Sequence, residues 1–572
     1  MQIVHREPII HSPLDAKLPP LLDKVLRQRG VQSIAEIDMQ TKGLLHYNLF
    51  KDIEKATALV VDAIQQEKRI CIVGDFDADG ATSTALCMLC LRDFVHKKGF
   101  FIVPNRFDYG YGLSEPVVDI ALEQGTDLLI TVDNGISSIS GVAAAKQAGL
   151  QVLITDHHLP GQFLPNADAI LNPNQPDCAF PSKHLAGVGV AFYLMLSVRA
   201  QLIQSGYFET KQLQAPNIAN YLDIVALGTV ADVVPLDQNN RILVHQGLQR
   251  IRSGRTRLGI QALLDASGRK ASQIASSDLG FALGPRLNAA GRLEDMSIGI
   301  ECLLTEEMSK ARQLAAELDK LNKSRQEIEQ SMQAEAEKAL ASCVLDGTSL
   351  PAAISLYDDS FHAGVVGIVA GRLKEKYYRP CIVFAHESDT SIKGSARSIP
   401  GIHIRDLLDR IATDNPEVIN KFGGHAMAAG LSIPTKAFDQ FTLLFEQAAA
   451  DALAGLPNQS QTLSDGELSA AEINLQNAQL LKSAIPWGQS FEAPMFDGVF
   501  EIVQQRIVGQ KHLKMVVKKG HQITDAIAFN VDLDQWPNLQ AKQVHLAYQL
   551  DVNEFNNRIN VQLLVNQLMA VE

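Results

Sequence analysis

No glycine in this 572-residue sequence is followed directly by lysine, so there is no P-loop and no sign of ATP chemistry. No apolar run of 18 residues free of charge occurs, and a membrane span is not expected. The opening residues, Met1-Gln-Ile-Val-His-Arg-Glu-Pro, lack a basic stretch followed by a long apolar core, so no secretory signal is expected. Positive charge is scarce: 51 Lys and Arg stand against 64 Asp and Glu, a net charge of −13 and a pI near 5.6. That balance argues against a surface that is basic throughout and leaves room only for a local basic groove. Cysteine is sparse too. Seven scattered residues make no disulfide framework, and the chain reads as a cytoplasmic protein of a reducing compartment. Cys87-Met-Leu-Cys90 is a C-x-x-C without a second pair, inside an apolar helical run, and reads as buried core.

What the chain does hold is a repeated arrangement of apolar runs ending in chemistry. Arg69-Ile-Cys-Ile-Val-Gly74 runs into Asp75-Phe-Asp77-Ala-Asp79-Gly80. Asp127-Leu-Leu-Ile-Thr-Val132 runs into Asp133-Asn134-Gly135, and Gln151-Val-Leu-Ile-Thr155 into Asp156-His157-His158. Leu222-Asp-Ile-Val-Ala-Leu-Gly-Thr-Val230 runs into Ala231-Asp232. In an open parallel α/β sheet the carboxyl ends of the strands form the ligand crevice. Four strand ends of this kind would converge on one site rich in carboxylate and imidazole. Such a ligand set, with no thiolate, favours Mn or Mg. Asp77 and Asp79, two apart at a strand end, are expected to face the same way. So many acids in one crevice repel each other without cations, which suggests two ions and in-line attack on phosphorus. Ala81-Thr-Ser-Thr84 is expected to open a helix whose N-terminus suits a phosphate. Taken singly, each aspartate is more simply a turn residue or a helix cap. The joint pattern is what carries the reading.

Along the chain, residues 1–60 read as a helical lead-in, and 61–300 as a parallel α/β domain. From Ile300 to Asp346 there is no Gly or Pro, and Leu314, Leu318, Leu321, Ile328 and Met332 keep helical spacing. A connecting helix is expected over 301–346. Residues 347–455 return to α/β text, with Ala363-Gly-Val-Val-Gly-Ile-Val-Ala-Gly371 as a glycine-spaced helix before Arg372. There Lys393-Gly-Ser-Ala-Arg-Ser398 and Gly423–Gly430 are candidate phosphate-gripping turns. Leu456–Thr462 reads as a linker. Residues 465–572 read as all-β. Val503–Gln522 carries Arg506, Lys511, Lys514, Lys518 and Lys519 and no acid, and alternates with Ile507, Leu513, Met515 and Val517. That fits a basic hairpin of an oligonucleotide-binding OB barrel, with a solvated charged face as the plainer reading.

The four motifs resemble those of the DHH phosphoesterase superfamily, and Gly423-Gly-His-Ala-Met-Ala-Ala-Gly430 resembles the signature of its DHH-associated C-terminal domain. Asn105-Arg-Phe-Asp-Tyr-Gly-Tyr-Gly112 and Gly284-Pro-Arg-Leu-Asn-Ala-Ala-Gly-Arg292 bring the chain nearest to the RecJ exonuclease family. The resemblance runs from about residue 50 to the C-terminus. It implies two α/β lobes joined by a long helix, followed by an OB-fold. It implies hydrolysis of single-stranded DNA in the 5′→3′ direction with two Mn2+ or Mg2+ ions, in DNA repair and recombination. The implied metal ligands are Asp77, Asp79, Asp133, His157 and Asp232, with Asp75 where other branches have a histidine upstream. Asp133 and His158 are the implied catalytic residues, His158 facing the phosphate. Arg106, Arg286, Ser395, Arg397 and His425 would hold the DNA and its 5′-phosphate, and Lys511 and Lys514 the strand on the barrel. The expected partners are single-stranded DNA, a single-strand-binding protein and a RecQ-type helicase, for a monomer with no membrane association. The alternative within the superfamily is a phosphodiesterase of short oligonucleotides or cyclic dinucleotides, which has no need of a second polymer-binding domain. A non-catalytic scaffold is disfavoured by the intact set of acids and histidines.

Overall fold

Five short apolar segments set the architecture that positions the crevice. In this computed structural model, which describes residues 2–7, 13–105, 109, 112–345, 350–454, 456, 461–555 and 558–571, they form one parallel sheet. The strands are β1 (Ile70–Gly74), β2 (Gly99–Ile102), β3 (Leu128–Val132), β4 (Gln151–Thr155) and β5 (Ala169–Leu171). β1 and β3 are buried at every position, as a sheet covered on both faces requires. Their order is β2-β1-β3-β4-β5, with every pair parallel. The winding therefore reverses between β1 and β3, and at such a switch point a crevice opens beyond the strand ends.

Helices α1 (Ala78–Asp93), α2 (Gly187–Gln204) and α3 (Leu222–Ala231) pack on one another behind this crevice. Two expectations are corrected here. Leu222–Ala231 is a helix and not a strand: eight of its ten residues are buried, and a run that is apolar on every side carries no period to separate the two. The helix expected from Ala81 begins at Ala78, so Asp77 and Asp79 lie at its N-cap and first turn, not on alternate positions of a strand. α2 is long and apolar enough to cross a membrane by composition, but 67% of it is buried inside the protein, which marks a core helix. The described part of residues 1–60 holds a strand, one eight-residue helix, three 3₁₀ turns and the start of the helix Ile53–Gln65. Cys87 and Cys90 are both fully buried on α1.

The chain divides into two compact units, Ile3–Asp319 with Thr462–Glu572, and Lys320–Gln461 with Met1–Gln2. The first unit also contains α4 (Gly284–Leu293), entered through a π-helical turn at Leu279–Leu283. Helix α5 (Met308–Leu345) is continuous over 38 residues, and the division falls within it. It begins later than residue 301 because Ser297–Leu304 forms a separate helix.

The second unit contains a mixed sheet of β6 (Ile354–Tyr357), β7 (Cys381–Ser388), β8 (Ser391–Arg397), β9 (Lys421–Gly424) and β10 (Ala428–Pro434), in the order β9-β10-β8-β7-β6. Only β6 and β7 run parallel. Helix α6 (Val366–Tyr377) packs on β7 and β8. The segment Lys393–Ser398, expected as a turn, is the strand β8 up to Arg397, because Ile392, Gly394 and Ala396 alternate into the core. Gly423–Gly430 is the hairpin between β9 and β10, with His425 at its tip.

The first unit ends in a closed five-stranded barrel of β11 (Phe496–Val508), β12 (His512–Lys519), β13 (Gln522–Ala528), β14 (Gln543–Phe555) and β15 (Arg558–Val571), in the order β11-β12-β13-β15-β14. Leu513, Met515 and Val517 are buried in it, and alternate residues of β12 point outward. A helix, Leu475–Ser483, precedes it, so this segment is not purely β. The barrel region joins the α/β part through Leu236 N to Gln489 O at 2.8 Å and Ser276 Oγ to Trp487 O at 2.6 Å.

Candidate metal centre

Asp77, Asp79 and Asp133 are each set by a local backbone device. Asp77 caps α1, its Oδ1 accepting from Asp79 N at 2.9 Å and Gly80 N at 3.0 Å. Ala78 N, beside it, donates to Asn288 Oδ1 at 2.8 Å, which ties α4 to the same turn. Asp79 is buried and caps another helix: Oδ2 accepts from Gly187 N at 2.5 Å and Oδ1 from Val188 N at 2.9 Å. Asp133 follows β3 with a left-handed φ of 62°, a conformation that aspartate tolerates better than most residues and that strain concentrates at functional sites. Asn134 Nδ2 bridges Val73 O and Val132 O at 3.0 and 2.9 Å, joining the ends of β1 and β3.

His157 is the meeting point. Its Nε2 stands 3.1 Å from Asp133 Oδ1, 3.5 Å from Asp232 Oδ2 and 4.0 Å from Asp79 Oδ2. Ligand atoms fall within 4.8 Å of one another in three groups: Asp75, Asp77 and Asp133; Asp79, His157 and Asp232; and Asp133, His157 and His158. The first two groups share no residue, so the crevice offers two positions for an ion. His157 Nε2 and Asp232 Oδ2 are buried and make no hydrogen bond of good geometry among the described residues, as atoms waiting for a metal would be.

The electrostatics point the same way. Burial first, and the neighbouring Asp77 second, push the Asp79 carboxyl up to about 7. Asp133 and Asp232 are pushed well above the carboxylate range by burial and then by their acidic neighbours. Burial, with His158 next to it, brings His157 down to about 4 and keeps its imidazole neutral, the form that ligates. For His158, burial opposes the charge, but Asp156 overrides it and lifts the ring to about 9. Asp156 is buried as well; the hydrogen bond and charge of His158 overcome that and hold its carboxyl below the usual value. A crowd of buried carboxylates is costly unless cations join it, and oxygen donors with one imidazole fit Mn or Mg.

Of the other residues singled out, Arg286 is paired with Asp319, Nη2 to Oδ1 at 2.7 Å, and also donates to Ala282 O at 2.6 Å. Arg397 belongs to the second unit, where Nη1 donates to Ser395 Oγ at 2.9 Å and to Ala396 O at 2.8 Å. It forms no ion pair among the described residues, and burial holds its pKa below the arginine norm. His425 N donates to Ala428 O at 2.9 Å in the hairpin turn. Arg106 lies outside the described residues. On the barrel, Lys514 meets Asp525 at 3.1 Å, Lys518 meets Glu501 at 3.0 Å and Lys519 meets Glu467 at 2.6 Å. The acid-free run is thus partly neutralised by other segments. Lys511 and Arg506 are exposed and form no ion pair among the described residues.

Sequence reasoning missed a set of asparagines. Asn172 Nδ2 holds His158 O at 2.9 Å and Asn174 Nδ2 holds His157 O at 2.6 Å, so the fifth strand end braces the histidine pair. Their signal was present: Asn172-Pro-Asn174 follows the apolar run of β5 directly.

Residues 69–229 match the DHH family N-terminal domain, 349–451 the DHHA1 domain and 464–567 the RecJ OB domain. The single-stranded-DNA-specific exonuclease RecJ of Salmonella typhimurium is 51% identical over 569 residues, covering 99% of both chains. That of Escherichia coli is 50% identical over 573 residues, covering 100% of this chain and 99% of its own. The crystal structure of RecJ with Mn2+ from Thermus thermophilus superposes with a TM-score of 0.77 at 28% identity, over 97% of this chain and 79% of that one. A structure of exonuclease RecJ bound to manganese gives a TM-score of 0.59 at 33% identity, over 72% of this chain and 98% of that one. With full-length identity at this level, and with the three domains in the same chain, this protein belongs to the RecJ family.

Proposed function

We propose that this protein is a metal-dependent exonuclease that hydrolyses single-stranded DNA in the 5′→3′ direction. The observation that carries the reading is the cluster of Asp75, Asp77 and Asp133 beside that of Asp79, His157 and Asp232 at the sheet's switch point. It is joined to a barrel of the kind that grips oligonucleotides. The relatives named above are single-stranded-DNA-specific exonucleases, and two Thermus structures are complexes with Mn2+ and Mg2+.

In this reading Asp79, His157 and Asp232 would hold one ion and Asp75, Asp77 and Asp133 the other. Asp133, in the first group and 3.1 Å from His157 of the second, stands within reach of both positions. Bound ions of this class neutralise phosphate charge and make water a stronger nucleophile. The chain's own residues do the rest. Asp77 and Asp79 keep the crevice rigid through the helix caps. His158, charged at neutral pH and half-exposed, donates to a phosphate oxygen, while Asp156 fixes its ring. Arg397 with Ser395 is assigned to the 5′-phosphate, since a half-buried guanidinium with no carboxylate partner among the described residues suits an anion. Arg106, Arg286 and His425 are assigned to the same strand, and Lys511 and Lys514 to its continuation on the barrel. An enzyme that cuts only unpaired DNA needs a strand opened and kept open for it. A RecQ-type helicase and a single-strand-binding protein in the cytoplasm suit that need, and the chain works as a monomer.

The test is product size and polarity on labelled oligonucleotides with Mn2+ or Mg2+. Stepwise release of mononucleotides from the 5′ end of single strands, abolished by chelation, is expected. Equal cutting of duplex, release from the 3′ end, or activity only on di- and trinucleotides would overturn the proposal.

A further inference from the structure

Phe281 is the most exposed large apolar side chain among the described residues, at 85%. It lies on the π-helical turn Leu279–Leu283, a rare form that gathers at functional sites. Its neighbours Leu279, Ala282 and Leu283 are buried, so the turn is anchored and the ring alone is presented to solvent.

The turn is pressed against the end of α3 that carries Asp232. A Cβ on Gly280 would lie 3.2 Å from Val230 Cγ1, and one on Gly284 would lie 3.1 Å from Ala231 Cβ. From the rise of a helix and the Cα spacing, Phe281 stands on the order of 10 Å from Asp232. The next residue, Val233, is 63% exposed with a φ of 61°, a costly conformation for a β-branched side chain. Leu159, directly after His158, is 71% exposed. Exposed apolar groups thus border a crevice whose interior is anionic. Phosphates are not drawn to such a border, whereas the flat faces of unpaired bases are.

Resting on the exonuclease reading above, we propose that Phe281 is a base-stacking residue. It receives a nucleobase of the unpaired strand close to the scissile phosphate. Stacking of this kind tolerates any sequence, because every base has a π-face. It also rewards an unpaired strand, since a base inside a duplex has both faces occupied by its neighbours.

The experiment compares wild type, Phe281→Ala, Phe281→Trp and, as a control for loss of exposed apolar surface, Leu443→Ala. The substrates are a 5′-phosphorylated thymidine oligonucleotide and copies with one abasic site at each of the first four positions. On the intact strand Phe281→Ala is expected to lose about 5- to 150-fold in kcat/KM, roughly 1–3 kcal/mol. Phe281→Trp and Leu443→Ala are expected to stay near wild type. One abasic position should cost wild type the same factor and cost Phe281→Ala almost nothing. Wild-type rates for Phe281→Ala, or undiminished sensitivity of that variant to the abasic site, would overturn the inference alone. A wild type inert on every strand would overturn the exonuclease reading and this inference with it.

Discussion

Asp156 and His158 form a closed pair: Asp156 Oδ1 lies 2.8 Å from His158 Nδ1, and the same oxygen accepts the amide hydrogens of His157 at 2.7 Å and His158 at 3.1 Å. One buried carboxylate therefore sets the backbone of the histidine pair and the charge of His158.

That relationship separates the two histidines experimentally. Asp156→Asn and His158→Ala should each keep the bound Mn2+ and lose rate, about 10- to 100-fold for the former, the usual loss when a group that orients an active residue is removed. His157→Ala should lose metal and rate together. Metal content after gel filtration, set beside single-turnover rates, checks this. Equal metal loss in all three variants would refute the division of roles.

Asp133 and Asp232 make the metal-free protein pH-sensitive. Their carboxyls are pushed upward by burial and then by acidic neighbours. The unfolded chain ionises these groups near pH ~4. The folded state therefore binds the extra protons, and their contribution to stability is complete below that pH. It is lost as pH rises through the raised folded values. A chelated sample should lose melting temperature above about pH 4, and Mn2+ should restore it at neutral pH. Asp232→Asn should raise the chelated melting temperature, by about 1 °C per kcal/mol relieved in a unit of this size, and shrink the gain from Mn2+. A chelated Asp232→Asn melting below chelated wild type would count against mutual repulsion.

Gly291 supports the acidic turn by close approach. A Cβ there would lie 1.7 Å from Phe76 O, so either α4 or the Asp75–Asp77 loop must move. Gly291→Ala should cost about 1–3 kcal/mol of stability, as overpacking does. Its rate should fall further, on the order of 10²-fold, because a shift of ~1 Å at the ligands is enough. Gly371→Ala, inside helix α6 with nothing within 4 Å of the added atom, is the matched control and should keep the rate while stability stays level or rises by up to about 1 kcal/mol. Parallel effects in the two variants would remove Gly291 from the site.

The positions of Asp75, Asp133, Asp156 and His157 are legible in the sequence because each follows an apolar run that becomes a buried parallel strand. Asp232 is legible as a residue type at a place but not in its element, since Leu222–Ala231 is apolar all round and hides its helical period. Asp77 and Asp79 reach the crevice by helix capping, a geometry that an i, i+2 strand argument does not contain. Partners distant in sequence are the part that stays hidden. Asp319 for Arg286 lies 33 residues away and Asn288 for Ala78 lies 210 away.

Arg397 carries the prediction about strand ends. Its guanidinium is half-buried and held by Ser395 and its own backbone, and Gly367 leaves the space beside it: a Cβ there would lie 2.8 Å from Nη2. Arg397→Ala should reduce the preference for 5′-phosphorylated over 5′-hydroxyl strands. Arg397→Lys should recover only part of it, since the ammonium cannot donate as a planar fork. The ratio of kcat/KM on the two substrates decides the point, and an unchanged ratio would exclude Arg397 as the end reader.

The barrel sharpens into a prediction about which cations touch DNA. Read as sequence, Arg506, Lys511, Lys514, Lys518 and Lys519 form one acid-free run. Folded, Lys514, Lys518 and Lys519 face Asp525, Glu501 and Glu467, while Arg506 and Lys511 stay exposed without an ion pair among the described residues. A cation already matched by a carboxylate releases few counterions on binding a phosphate. The unmatched pair should therefore dominate the salt dependence. Single-strand binding loses ~0.7 in log–log slope per phosphate contact removed. Replacing Arg506 and Lys511 together by Ala should flatten the slope by about 1.4 and raise KM on long strands. Replacing Lys518 and Lys519 should do much less, because it also frees two acids that repel the strand only weakly at the barrel's exposed surface. Turnover of a trinucleotide, too short to reach the barrel, should be indifferent to all four changes. Slopes measured between roughly 50 and 200 mM salt settle it. If the Lys518 and Lys519 replacement flattens the slope as much as the other, the ion pairs open on binding and the whole hairpin serves as the grip.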